Sequence, residues 1–153
     1  MWDWIAISNV LASDLMSMFL VDTNVISEIR KGSRSNAGVQ AFFRGEHADA
    51  FFLAAQTIGE IRRGIENLRH RGDMVQVRVL ELWLDFLLNE YADRILAFDL
   101  ACAQHWGRLM SPDATHAVDK QIAAIALMYD MTVVTRNVDD FRHAQVRVHN
   151  PFV

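Results

Sequence analysis

The chain is poor in the residues that small extracellular and fibrous proteins depend on. One cysteine, Cys102, stands among 153 residues, so no internal disulfide can form. A lone thiol suits a reducing compartment, and a cytoplasmic location is expected. Prolines number two, Pro112 and Pro151, and no stretch reads as a linker, a repeat or a low-complexity tract. No apolar run reaches the ~18 residues of a membrane span, and the N-terminus lacks the basic segment that opens a signal peptide. An excess of cations is missing too: 15 Lys and Arg face 19 Asp and Glu, a net charge of −4. Bulk charge therefore does not point to nucleic acid, and such a ligand would need a local basic patch or a metal ion. The six histidines are scattered, and none pairs with the cysteine at zinc-ligand spacing.

What is present is apolar mass. At 52% hydrophobic residues the chain can bury a core without staples, and its length fits one domain. Short apolar runs alternate with helical periodicities. "MFLVD" (18–22), "ADAFFLAAQ" (48–56), "RILAFD" (94–99), "MTVVTRN" (131–137) and "QVRVHN" (145–150) read as strands. Helices are expected after Asp22, with Thr23 or Asn24 as cap, and over 37–44, 57–72, 74–91, 100–110 and 117–130. This alternation predicts a parallel sheet of four to five strands covered by helices on both faces, a three-layer α/β/α domain. The first 17 residues, "MWDWIAISNVLASDLMS", precede the first clear strand. Met18 would make a natural start, so residues 1–17 are read as an extension and 18–153 as the domain. The other reading of the extension is an ordinary helix packed on that domain.

In a parallel α/β sheet the site lies beyond the C-terminal ends of the strands. Several acids fall at that rim. Asp22 ends the first strand, where a carboxylate is costly unless something pairs with it. Glu60 follows the second, Asp119 opens the helix before the fourth, and Asn137, Asp139 and Asp140 follow the fourth. Each has a plainer use. "TIGE" fits a capping box in which Thr57 and Glu60 satisfy helix-end amides. Asp119 favours a helix dipole, Asp139 and Asp140 suit a turn, and Asp99 reads simply as a cap. Taken together, like charges this close call for a divalent cation, and oxygen-only ligands fit Mg²⁺ or Mn²⁺.

"FLVDTNVISEI", "TIGEIRRGIENL", "VDKQIAAIALMYDMTVVTRNVDDF" and, more loosely, "FDLACAQHWGRL" occur in an order that resembles PIN-domain proteins of the VapC/FitB toxin type. The stretches cover most of residues 18–150. The resemblance implies a PIN-like fold, Mg²⁺-dependent endoribonuclease activity with metal-activated water, a homodimer or toxin–antitoxin hetero-oligomer, and a cognate antitoxin as partner. It carries over Asp22, Glu60 and Asp119 as catalytic acids, with Asp22 and Asp119 as direct metal ligands. A fourth acid comes from "TRNVDDF". Many relatives have aspartate directly after "TR", where this chain has Asn137, so Asp140 is the expected fourth carboxylate, with Asn137 and Asp139 left open. Thr23, Asn24, Thr135 and Asn137 would orient water. Lys120, beside Asp119 where relatives more often have a small residue, would contact phosphate or compete with the metal.

Cations for a substrate strand are sought in Arg30, Lys31, Arg34, Arg62, Arg63 and Arg136, with Arg62 and Arg136 favoured for their nearness to the rim. The helix "MVQVRVLELWLDFLLNEY" is apolar on more than one face, which fits full burial or a protein partner. Two other readings stay open. One is a PIN-like RNA- or protein-binding module without catalysis. The other is a receiver-like signalling domain, which would need a late-strand lysine that "VRVHN" does not supply.

Overall fold

The computed structural model describes residues 17–153; the N-terminal extension expected over residues 1–17 thus lies, but for Ser17, outside the described residues. Five short strands form one sheet: β1 (Phe19–Val21), β2 (Phe51–Ala54), β3 (Ile95–Leu96), β4 (Thr132–Val134) and β5 (Val148–His149). Their order is β3-β2-β1-β4-β5 and every pairing is parallel. A receiver-like sheet runs 2-1-3-4-5, so the signalling alternative fails on topology. Seven helices connect the strands: α1 (Thr23–Ile29), α2 (Ala37–Gly45), α3 (Ala55–His70), α4 (Met74–Glu90), α5 (Leu100–Leu109), α6 (Ala117–Met128) and α7 (Val138–Phe141).

The period of two along each strand sorts the core into two layers. Phe19, Val21, Phe51, Leu53 and Val134 face one way, onto Val25 and Ile26 of α1, Val39 of α2, Ile61 and Ile65 of α3, and Leu84 and Leu87 of α4. Leu20, Ala54 and Val133 face the other way, onto Cys102 of α5, Ile122 and Ile125 of α6, and Phe141 of α7. Leu20, in the central strand, is wholly buried. Truncating it to alanine would cost about 2–5 kcal/mol. Burial on both faces explains why these strands read as unbroken apolar runs rather than as alternating ones.

The strands are shorter than the apolar runs suggest. Ala48–Ala50 forms a 3₁₀ turn ahead of β2, and α3 begins at Ala55, two residues before the expected start. The capping box is thereby dissolved: Thr57 lies inside the helix, wholly buried, and its hydroxyl has no partner among the described residues. Asp22, not Thr23 or Asn24, is the cap of α1. Asp99 caps α5 as expected, accepting from the Cys102 amide at 2.9 Å. Gly72, at φ +80°, takes the left-handed turn that closes α3. At Gly38 a side chain would collide with the Pro151 carbonyl oxygen, so the C-terminal strap can lie across α2. Asn36 ties that strap down, donating from Nδ2 to the Val153 carbonyl oxygen at 2.9 Å and accepting from the Val153 amide at 3.2 Å.

Candidate active site

From β1 the chain moves outward through β2 to β3, then returns to place β4 on the other side of β1. The crevice between the C-terminal ends of β1 and β4 is the switch point at which doubly wound sheets bind ligands. Asp22 follows β1 directly, and its amide continues the ladder to the Val134 carbonyl oxygen at 2.9 Å. Thr135 follows β4 in the same way, its amide donating to the His149 carbonyl oxygen at 3.0 Å.

Asp22 is 6% exposed, and its neighbours aim hydrogen-bond donors at both of its carboxyl oxygens. The Thr23 amide donates to Oδ1 at 2.9 Å; the Thr135 hydroxyl donates to Oδ2 at 2.8 Å, and Asn24 Nδ2 approaches Oδ2 at 3.3 Å. Asn24 Oδ1 in turn accepts from the Arg136 amide at 3.0 Å, locking the two strand ends together. Glu60 projects from the second turn of α3 and accepts a hydrogen bond from the Thr23 hydroxyl across the pocket. Thr23 and Asn24 therefore do not cap α1. They orient two of the acids.

Asp22, Glu60, Asp119 and Asp140 line one cavity of about 340 Å³, with Thr23, Asn24, Ser27 and Asn137. Burial raises the pKa of Asp22, against the opposing hydrogen bonds of Thr135 and Thr23, and Asp140 adds repulsion. Burial also raises that of Glu60, with Asp22 adding to it. Asp119 is the most perturbed: burial, followed by the charges of Asp22, Asp140 and Glu60, moves its carboxyl from the ordinary 3.8 up to about 6. Repulsion on that scale among hard oxygen donors is relieved by a small dication, so the set fits Mg²⁺ or Mn²⁺.

Of the three candidates after β4, Asn137 and Asp140 face this cavity. Asp139 instead pairs with Arg142 at 2.5 Å on the exposed side of α7. Asn137 is held by its amide, which donates to Thr135 Oγ1 at 3.1 Å. Lys120 corrects an expectation. It is 5% exposed and turns away from the acids, donating to the Asp113 carbonyl oxygen at 2.5 Å. One residue along a helix rotates the side chain by about 100°, so the neighbour of a pocket-facing Asp119 points elsewhere. Arg62 is likewise not at the rim: it forks onto Glu81 of α4, at 2.6 and 3.1 Å. Arg136 stays beside the site, its guanidinium 4.9 Å from the Phe152 ring, in a second hollow that shares Asn137 and Asp140.

Sequence reasoning missed His116. Its Nδ1 is 3.8 Å from Asp119 Oδ2 and 3.8 Å from Asp140 Oδ1. No spacing rule flags a histidine three residues before an acid in a loop; only the fold brings Asp140 to it. Arg30, one of the candidate cations, stacks 5.4 Å over Trp83. It lines a groove that runs from Thr23, Ser27 and Glu60 to Leu80 and Trp83.

The PIN domain family matches residues 19–146. The chain belongs to that family. It is 33% identical to toxin FitB of Neisseria gonorrhoeae over 142 residues, 88% of this chain and 99% of FitB. To the VapC ribonuclease Y4jK of Sinorhizobium fredii it is 32% identical, over 88% of this chain and 98% of that one. The crystal structure of FitAcB from Neisseria gonorrhoeae superimposes with a TM-score of 0.71 at 35% identity, covering 88% of this chain and 98% of that one.

Proposed function

We propose that the chain is an endoribonuclease toxin that hydrolyses RNA phosphodiesters at the cavity lined by Asp22, Glu60, Asp119 and Asp140. The observation that carries this reading is the convergence of four carboxylates from four separate segments on one switch-point crevice. The resemblance to a VapC ribonuclease and to toxin FitB supports it.

Asp22 and Asp119 would hold Mg²⁺ or Mn²⁺, with Glu60 and Asp140 beside them. Such an ion, when bound, neutralises phosphate charge and lowers the pKa of water. Thr135 and Asn24 keep the lone pairs of Asp22 aimed into the crevice. Glu60, steadied by the Thr23 hydroxyl, is placed to accept a proton from attacking water. Asn137 presents an amide at the same wall to orient it. Arg136 and Arg30 line two hollows that share walls with the cavity and would guide the strand. The products expected are a 5′-phosphate and a 3′-hydroxyl.

A binding module without catalysis is the weaker reading, because Lys120, which would have blocked the site, is turned away from it. A cognate antitoxin is the proposed partner. Its proposed seat is the apolar hollow of about 380 Å³ between Ile26, Phe43, Trp83 and Phe86, which meets the acidic crevice along Arg30. A second copy of the chain would associate in the same assembly.

The test is incubation of the purified chain with a mixed RNA pool and Mg²⁺, with and without EDTA, beside Asp22→Asn. Cleavage should need both the ion and Asp22, and fall by on the order of a hundredfold or more without either. Products carrying 2′,3′-cyclic phosphate would overturn the mechanism.

A further inference from the structure

His116 occupies the cap position of α6 but does no capping: its backbone is left-handed, at φ 54° and ψ 46°, and its side chain bonds no helix-end amide. The ring is half exposed and stands over the Asp119 and Asp140 side of the crevice. Donor atoms of His116, Asp119 and Asp140 all lie within 4.8 Å of one another. At 3.8 Å to each carboxylate the imidazole is too far for a hydrogen bond, which ends at about 3.2 Å. First-row dications hold nitrogen and oxygen at about 2.0–2.2 Å, so adjacent ligands lie roughly 3.0–3.5 Å apart. The two edges from His116 close on an ion with a contraction of roughly 0.3–0.8 Å, and the Asp119–Asp140 edge lies within 4.8 Å.

Building on the metal-site reading above, we propose that His116 joins Asp119 and Asp140 as a nitrogen ligand. This chain's site then prefers a first-row transition dication such as Mn²⁺ over Mg²⁺. The opposite wall, Asp22 and Glu60, offers oxygen alone. Mg²⁺ takes oxygen donors and gives up its water reluctantly, whereas imidazole favours the later, softer ions. His116 thus converts an oxygen-only site into a mixed one, and it does so from a loop outside the acidic motifs.

The probe is Mn²⁺ alone, added to the full-length chain without RNA. Pulsed electron paramagnetic resonance of the loaded protein should show the ¹⁴N modulation of a directly bound imidazole. His116→Asn, whose side chain suits the left-handed backbone, should abolish that modulation. It should weaken Mn²⁺ binding by about tenfold or more and leave Mg²⁺ binding little changed. Bound Mn²⁺ without ¹⁴N coupling in the wild-type chain would overturn the proposal, and so would coupling that persists in His116→Asn; both leave the carboxylate site standing. A wild-type chain that takes up neither ion would remove the carboxylate site and this proposal together. The wild-type spectrum decides the point even if the variant fails to fold.

Discussion

Asp22 and Asp119 occupy the same crevice under different constraints. Asp22 accepts from an amide, a hydroxyl and a carboxamide, three of about four lone-pair sites, so it is fixed by the apo fold with one site left for an ion. Among the described residues Asp119 has no such bonds, and the His116 ring stands 3.8 Å from it. Its raised pKa makes a prediction with a definite sign. A carboxyl at about 6 in the folded chain and 3.8 in the unfolded one binds more protons when folded. Apo stability should therefore fall as pH rises from about 4 to about 6, the reverse of the usual carboxylate trend. Asp119→Asn should raise apo stability at pH 7 by on the order of 1 kcal/mol after allowance for solvent screening, while abolishing stabilisation by added Mn²⁺. Thermal melts at pH 4.5 and pH 7, with and without the ion, check both halves; a destabilised apo variant would sink the account. At this scale the sequence was legible where an acid ends an apolar run, as at Asp22. Glu60 looked like half of a capping box because local spacing cannot reveal that the helix starts early and that Thr23, 37 positions away, claims the carboxylate. Thr57 carries the test of that correction. A true cap lost to valine would cost about 1 kcal/mol. Here the buried hydroxyl has no partner, so Thr57→Val should be neutral or stabilising by up to about 1 kcal/mol in chemical denaturation.

Among the elements, α4 is the one whose apolar sequence left two readings open, full burial or a protein partner. Val77, Leu84 and Leu87 enter the core, whereas Val75 is 74% exposed, Leu82 73% and Phe86 57%. Opposite-face apolar side chains on a single-layer helix suit a protein partner rather than this chain's own core. Trp83 is a poor probe of that face, since it also packs against the core and under Arg30. Leu82→Glu with Phe86→Glu is the cleaner one. Exposed positions of this kind shift stability by about 0.5 kcal/mol or less, so the melt should barely move. Co-purification with the proposed antitoxin, or the mass of the proposed dimer in light scattering, should be lost. Retention of every assembly would show that the face has another use. Element type and order were legible because helix and strand periods differ and both repeat along the chain. Element length was not. The runs "ADAFFLAAQ" and "RILAFD" give up most of their residues to turns and helix starts, since only two to four residues per strand find a ladder partner.

For the whole molecule the net charge of −4 sets the terms on which the proposed RNA substrate would bind. Many of the cations are already answered within the fold. Arg62 and Arg69 share Glu81, Lys31 sits 2.6 Å from Glu28, Arg142 is paired with Asp139 and Arg147 with Asp130. Around the crevice that leaves Arg30, Arg63 and Arg136 to meet phosphates. Arg136 and Arg30 line hollows that adjoin the crevice, and the charge of Arg63 acts on Glu60, so the fold supplies a short track rather than a long basic groove. Single-stranded RNA releases counterions at about 0.7 per phosphate contacted, so three contacts predict a slope of roughly −2 in log K against log salt. Measured in EDTA with an uncleaved oligonucleotide, binding should be weak and only mildly salt-dependent, and divalent ion should tighten it. A slope near −5 or steeper would mean that the surface, not the ion, grips the strand. Arg136→Ala should lower the slope by about 0.7 and weaken binding to all sequences alike, whereas Arg62→Ala, its guanidinium already spent on Glu81, should leave it unchanged.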